Sequence, residues 1–322
     1  MSNLAMMMGL GSAAGGVNVA DVFSTDLYTG TNSLQTITNG VDLSSNGGFV
    51  WTKSRTATAG DSHYVFDTER GASAALFTNL ANAQSTASGE GVVAFNSDGF
   101  DVNGSSRSNT SGVSYVSWTW RQAPKFFDVL TYTGTGTAGQ TVSHNLGSVP
   151  GMIIIKRIGT TSDWVVYHRS IGATASLRLD STRDTTGAVS SAWFNDTEPT
   201  ATEFSIGTVT DINASGSTYV AYLFAHNEDV IQCGSFSGND ATVNVSLGFQ
   251  PQFVLVKNSN TVGNWNIYDS QRGAGAYLFA DATQAEYTDP SPDIVFNSTG
   301  FDASGNFGVS GRDYIYMAIK AE

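Results

Sequence analysis

Three lysines of this 322-residue chain, Lys53, Lys156 and Lys257, each close a short apolar run: Phe49-Val50-Trp51-Thr52-Lys53, Met152-Ile153-Ile154-Ile155-Lys156 and Gln252-Phe253-Val254-Leu255-Val256-Lys257. A lysine that ends an apolar face needs an acceptor or an exit to water. In two cases the following run ends in an acid, Tyr64-Val65-Phe66-Asp67 and Trp265-Asn266-Ile267-Tyr268-Asp269, and then reaches Arg70-Gly71 or Arg272-Gly273. In the third, Trp164-Val165-Val166-Tyr167-His168 puts a histidine in place of the acid and continues to Gly172. Antiparallel pairing of the two runs is expected to bring Lys53 near Asp67 and Lys257 near Asp269. The work of such a shielded pair would be to fix strand register, not catalysis.

Other side chains with chemical potential lack a productive spacing. His63, His144, His168 and His226 fall in different contexts, with no His-Glu-x-x-His or Cys/His pattern that would hold zinc. Asp98-Gly99-Phe100-Asp101-Val102-Asn103-Gly104 resembles a calcium loop, but Phe100 stands where an oxygen ligand is needed. The echo Thr299-Gly300-Phe301-Asp302 marks Gly-Phe-Asp as a repeated structural corner. No Gly-x-Ser-x-Gly elbow, phosphate-binding loop or dinucleotide fingerprint occurs, and no carboxylate pair is singled out for glycoside hydrolysis. The expectation is a protein without catalytic residues, metal or cofactor. The single cysteine, Cys233, rules out an intrachain disulfide framework and reads as a small buried residue of a strand.

The elements that carry these residues repeat. The three lysines are 103 and 101 residues apart, and each unit closes on a similar strand: Ser114-Tyr115-Val116-Ser117-Trp118, Thr218-Tyr219-Val220-Ala221-Tyr222 and Asp313-Tyr314-Ile315-Tyr316-Met317. A period near 100 residues exceeds that of solenoids, so each unit is expected to bury its own core. Alternation in Thr242-Val243-Asn244-Val245-Ser246-Leu247 marks a strand buried on one face, and Asn39-Gly40, Asn46-Gly47 and Asn103-Gly104 mark tight turns. With 35 glycines, 13% charged and 11% aromatic residues, the composition favours strands over helices. The fold expected is all-β: three tandem antiparallel β-sandwich domains of similar fold over residues 21–122, 123–227 and 228–322, after a short N-terminal arm at 1–20. The short joints at Gln122-Ala123-Pro124-Lys125 and Ala225-His226-Asn227-Glu228 imply fixed relative orientation, and hence a stiff, extended rod.

Net charge is −13, spread over all three units and greatest in the third, so no basic stripe is available to neutralise a nucleic-acid backbone. The arm, with Leu4, Met6, Met7, Met8 and Leu10, is too short to span a bilayer and carries no basic residue before Lys53, unlike a secretory signal. It is expected to be an assembly arm docking on a neighbouring subunit or partner. Among the aromatics, Trp118 and Trp120 share one strand face and Trp193 lies in a polar region. Core packing is one reading of them, and a contact surface for carbohydrate or protein the other. The loop around Asp289, Pro290 and Pro292 reads as a rigid acidic spur and joins that candidate contact surface.

Phe49-Val50-Trp51-Thr52-Lys53-Ser54-Arg55, Phe66-Asp67-Thr68-Glu69-Arg70-Gly71, Phe95-Asn96-Ser97-Asp98-Gly99-Phe100 and Gly112-Val113-Ser114-Tyr115-Val116-Ser117-Trp118 together resemble the β domains repeated in tail fibres and other virion structural proteins of tailed phages, of the cyanophage and marine phage type. The third unit is similar over its length, whereas the middle one lacks the acid, the Arg-Gly pair and Gly-Phe-Asp. The resemblance implies a non-enzymatic virion protein. The reading that follows is a tail fibre or tail-associated appendage, homo-oligomeric with a trimer favoured, held to other virion proteins by its arm and presenting its units to host-surface carbohydrate or protein. Its rivals are a capsid decoration or head-fibre protein and a polysaccharide depolymerase.

Overall fold

In a computed structural model, which describes residues 16–56, 61–185 and 190–322, the chain is all-β, and the two α-helices among the described residues are single turns at Leu43–Asn46 and Thr210–Asn213. Three large antiparallel sheets are each drawn from one sequence repeat. The first orders its strands Phe23–Thr29, Ser114–Arg121, Gly48–Ser54, Tyr64–Asp67. The second runs Phe127–Thr133, Thr218–Ala225, Pro150–Arg157, Val165–His168, Leu177–Arg178, and the third Ile231–Ser237, Asp313–Lys320, Pro251–Asn258, Trp265–Asp269, Ala276–Phe279, Tyr287–Thr288. In each, the closing strand lies between the first strand of its repeat and the lysine strand.

A smaller sheet covers one face of each large one: Gln35–Thr38, Gly99–Asn103 and Gly91–Asn96 in the first repeat, Gln140–Ser143 with Glu203–Ile206 in the second, and Val243–Ser246, Gly300–Ala303 and Ile294–Asn297 in the third. The repeated Gly-Phe-Asp corner belongs here. A Cβ on Gly99 would lie 2.0 Å from the Ile37 carbonyl oxygen and one on Gly300 1.9 Å from that of Val245, so only glycine lets the strands meet. Phe100 and Phe301 are buried, while Asp101 accepts from Thr36 and Asn96 and Asp302 from Asn244.

The lysine strands are buried on both faces, and period-two alternation divides their side chains between two environments. Val50 with Phe66, and Val254 and Val256 with Tyr268, face the smaller sheet of their own repeat. Phe49 and Trp51, and Phe253 and Leu255, face the other way, into one core shared by all three repeats. Trp120 of the first repeat stands at its centre, 6.0 Å from the Phe224 ring of the second and 5.5 Å from Phe253 of the third. Phe49 lies 4.9 Å from Tyr222, and Phe23 5.6 Å from Phe253.

The shared core corrects two expectations. The first and third repeats each bury one apolar face in a core of their own but the other in the core common to all three, and the molecule is not an extended rod: the repeats close into a ring. Three equivalent hydrogen bonds show it. Gln84 N donates to Ile158 O, Thr185 N to Ser259 O, and Glu286 N back to Arg55 O, at 2.9, 2.9 and 3.1 Å. The reason is in the strands. A sheet whose two faces are both apolar needs two covers, and the small sheet supplies one. The other must come from the neighbouring repeats. The short joints bring those neighbours in, with Gln122 Nε2 donating to Asp128 Oδ1 at 2.8 Å across the first and Cys233 N to His226 Nδ1 at 3.2 Å across the second.

Candidate functional site

Of the residues singled out for chemistry, the three lysines, Asp67, Asp269 and His168 lie at the joints between repeats, whereas His144 stays within the second repeat against Phe204. Pairing of the hairpin strands sets Phe49 opposite Asp67 and Phe253 opposite Asp269, so acid and lysine stand at opposite ends of their hairpin. The expected Lys53 to Asp67 and Lys257 to Asp269 pairs therefore do not form. In an antiparallel hairpin the end of the first strand meets the start of the second, and Lys257 accordingly pairs in register with Trp265.

Each ammonium instead donates to backbone carbonyls, one of them in the preceding repeat around the ring. Lys156 Nζ reaches Ala81 O at 3.0 Å and Ser162 O at 2.7 Å. Lys257 Nζ reaches Thr182 O at 3.2 Å and Asn258 O at 2.8 Å. Lys53 Nζ reaches Thr283 O at 3.3 Å and Asp61 O at 2.9 Å. Burial lowers all three lysines to about 8, against the attraction of Asp61, Asp180 and Asp281 respectively. Burial likewise raises Asp180 and Asp281 to about 6. Beside the lysines, Trp164 Nε1 donates to Phe77 O at 2.8 Å and Trp265 Nε1 to Arg178 O at 2.7 Å, again across a joint. Thr78 Oγ1 donates to Ala280 O at 2.7 Å where the third repeat meets the first.

A second set of contacts uses the acids. Tyr222 OH donates to Asp67 Oδ2 at 2.6 Å, and Arg70 holds the same carboxylate at 2.6 Å while also donating to the tyrosine oxygen at 3.2 Å. Trp118 Nε1 donates to Asp269 Oδ2 at 3.0 Å, with Arg272 paired to that carboxylate at 2.5 Å and its guanidinium 5.4 Å from the Trp118 ring centre. In the third joint His168 stands where the acid stands elsewhere. Its Nδ1 accepts from Ser170 N, which leaves Nε2 to donate to Tyr316 O at 3.0 Å. Burial lowers His168 to about 4, so the ring is neutral at pH 7.

The exchange of acid for histidine has a partner-side cause. Trp118 and Tyr222 offer an indole N–H and a hydroxyl to the acids; the residue at the equivalent place in the third closing strand is Met317, which has no donor. A carboxylate there would be buried without a partner, and the arginine that accompanies it elsewhere is replaced by Ile171. Neutral histidine, aimed at a backbone carbonyl, resolves both losses.

Trp118 and Trp120, weighed as an outward contact surface, are both 0% exposed and pack inside the ring. Trp193 is half-buried with the Arg178 guanidinium 4.0 Å over its ring. Asp289 is half-buried and accepts from Ser291 N, whereas Pro290 is exposed. Leu4, Met6, Met7, Met8 and Leu10 lie outside the described residues. Among the described residues no cluster of histidine, cysteine and acids is arranged to hold a metal ion, and no helix is long and apolar enough to cross a membrane. Cys233 is fully buried in its strand with Sγ toward Ala225 O, and burial raises its thiol.

Sequence reasoning missed Arg70, Arg272, Tyr222 and the carbonyls of Phe77, Arg178, Ala81, Thr182 and Thr283 as joint residues. The Arg-Gly pairs were a signal: an arginine three residues after a strand-ending acid folds back onto it. The carbonyls carry none.

The architecture defines a class: an all-β protein of three β-sandwich repeats closed around a common aromatic core, with buried lysines, acids and a histidine at the joints. The chain belongs to the family described as Domain of unknown function (DUF7483), matching it over residues 18–322. That one match spans all three repeats, as the common core requires of them. No curated protein matches the chain.

Proposed function

We propose that the protein is a non-enzymatic structural component of a tailed-phage particle, a tail-associated appendage that presents its surface to the host, with the capsid decoration or head fibre as the rival position. The resemblance of the first and third repeats to virion β domains supplies the particle. The observation that carries the structural role is the ring of joints: the lysines, acids and buried histidine that could do chemistry each bond across or beside a joint, and so hold the body together.

A threefold body normally needs three chains. Here one polypeptide supplies it, so oligomerisation is not needed to cover these sheet faces. The apolar segment Leu4 to Leu10 is then left for attachment to other virion proteins.

Quantitative mass spectrometry of purified particles tests the proposal, together with electron microscopy of particles labelled with antibody against the C-terminal residues. The protein is expected at the tail, in a copy number matching tail symmetry. A copy number matching the capsid shell would move it to the head, and absence from the particle would overturn the reading. Deleting residues 1–15 is expected to abolish incorporation while leaving the ring folded. Release of reducing sugar from host envelope polysaccharide by the purified protein would overturn the non-enzymatic part.

A further inference from the structure

The third repeat has an outward cleft that the first repeat, at the equivalent place, has filled. It opens between the large and small sheets of the repeat, has a volume of about 230 Å³, and is walled on one side by the rings of Tyr268, Tyr277 and Phe279. Tyr277 lies 5.5 Å from Tyr268 and 5.4 Å from Phe279, and stacks at 5.3 Å on Tyr287, which is 42% exposed. The polar side chains of the same lining are those of Asn258, Asn264, Asn266, Asp293, Asn306 and Arg312. Asp293 is held by Asn306, whose backbone N–H and side-chain amide donate to it at 3.2 and 2.8 Å, so its carboxylate is fixed at the rim.

In the first repeat the pair in register with Tyr277 and Tyr287 is Ala75 and Ser85. There Tyr64, in place of Asn266, packs at 5.4 Å on Phe77, and the Arg107 guanidinium lies over Ser85, donating to its Oγ at 2.8 Å and its carbonyl at 3.2 Å. The first repeat thus closes this edge with its own side chains. The third leaves aromatic faces in contact with water, an arrangement that costs stability and marks a binding surface.

We infer that this cleft binds a neutral hexose or N-acetylhexosamine residue of a surface glycan. An aromatic wall offers its face to the C–H face of a pyranose ring, and the amide, carboxylate and guanidinium groups of the same cleft match the hydroxyls along the ring edge. The volume admits one sugar ring with the chain continuing outward. Charge selects against acidic sugars: Asp293 lines the cleft, Asp289 lies close enough to act with it on Tyr277, the repeat is the most acidic of the three, and Arg312 alone carries positive charge in the lining. The inference deepens the host-facing part of the function proposed above and rests on it for the source of the glycan.

Saturation-transfer NMR on the full chain, with the methyl glycosides of glucose, galactose and N-acetylglucosamine at millimolar concentration and methyl glucuronide as the acidic control, tests the cleft. Transfer is expected to at least one neutral glycoside and not to the glucuronide. Tyr277→Phe, which keeps the ring, is expected to retain binding, and Tyr277→Ala to weaken it about tenfold. Asn264→Ala, at a half-exposed rim position, provides a second weakened variant should Tyr277→Ala fail to fold. Absence of transfer to every neutral glycoside, preference for the glucuronide, or undiminished binding by folded Tyr277→Ala or Asn264→Ala overturns the inference. Such failure with the protein still present on the particle would remove the cleft and leave the virion role standing.

Discussion

Two joints of the ring solve one problem with opposite chemistry. Where the third repeat meets the first, a buried carboxylate, Asp269, is held between Arg272 and the Trp118 indole. Where the second meets the third, His168 makes one hydrogen bond to a backbone carbonyl, and Gly151 lets the strands approach, since a Cβ there would sit 2.7 Å from that of Cys233. The difference teaches that the joint tolerates either a fully partnered ion pair or a neutral ring, but no half of the former. The acid, its arginine and the donor on the next closing strand are present together in two joints and absent together in the third.

The sharpest way to break the charged joint is to remove one partner. Arg272→Ala leaves the Asp269 carboxylate buried without its cationic partner, and is expected to lower stability by about 3–5 kcal/mol, read from the midpoint of urea unfolding. Removing a single hydrogen bond to the corresponding carboxylate in the first joint should do less: Tyr222→Phe leaves Arg70 in place and is expected to cost about 1.5–3 kcal/mol by the same measurement. The neutral joint should respond to shape instead. Gly151→Ala forces a methyl group against Cys233 and is expected to cost about 1–3 kcal/mol, with Cys233→Ala in the same chain restoring part of the loss.

The neutral joint also makes stability depend on pH. His168 is held at about 4 in the folded chain and returns to its ordinary value near 6.5 on unfolding. Between these the unfolded chain binds more protons, so this residue makes stability rise with pH from about 4 to about 6.5 and contributes no slope above. His168→Gln retains a donor toward Tyr316 O without titrating. Thermal melts across that window should therefore show a shallower rise for the variant than for the parent, and parallel curves would remove the histidine from the account.

Much of this molecule was legible in the chain. The three-fold repeat, the hairpins, the all-β class and the structural nature of Gly-Phe-Asp follow from alternation and turn residues, which act over a few neighbours. The departure of the middle repeat at His168 and Ile171 was equally visible, but its meaning was not, because Met317 lies 149 residues away and only the ring brings it alongside. Lys53 and Asp67 were misplaced for a simpler reason, since residues near in sequence were joined without following the hairpin to its far end. Trp118 and Trp120 were recognised as one aromatic face. What faced them could not be read, because the alternation of a strand states that a face is buried and never by what.

Local sequence determined where strands begin, which residues share a face and how often the pattern recurs, since backbone stereochemistry and solvent act on each stretch separately. Only the tertiary structure decided that three such stretches complete one another. The second apolar face of each large sheet has no cover within its own repeat, and the molecule removes it from water by closing into a ring whose aromatic centre belongs to all three.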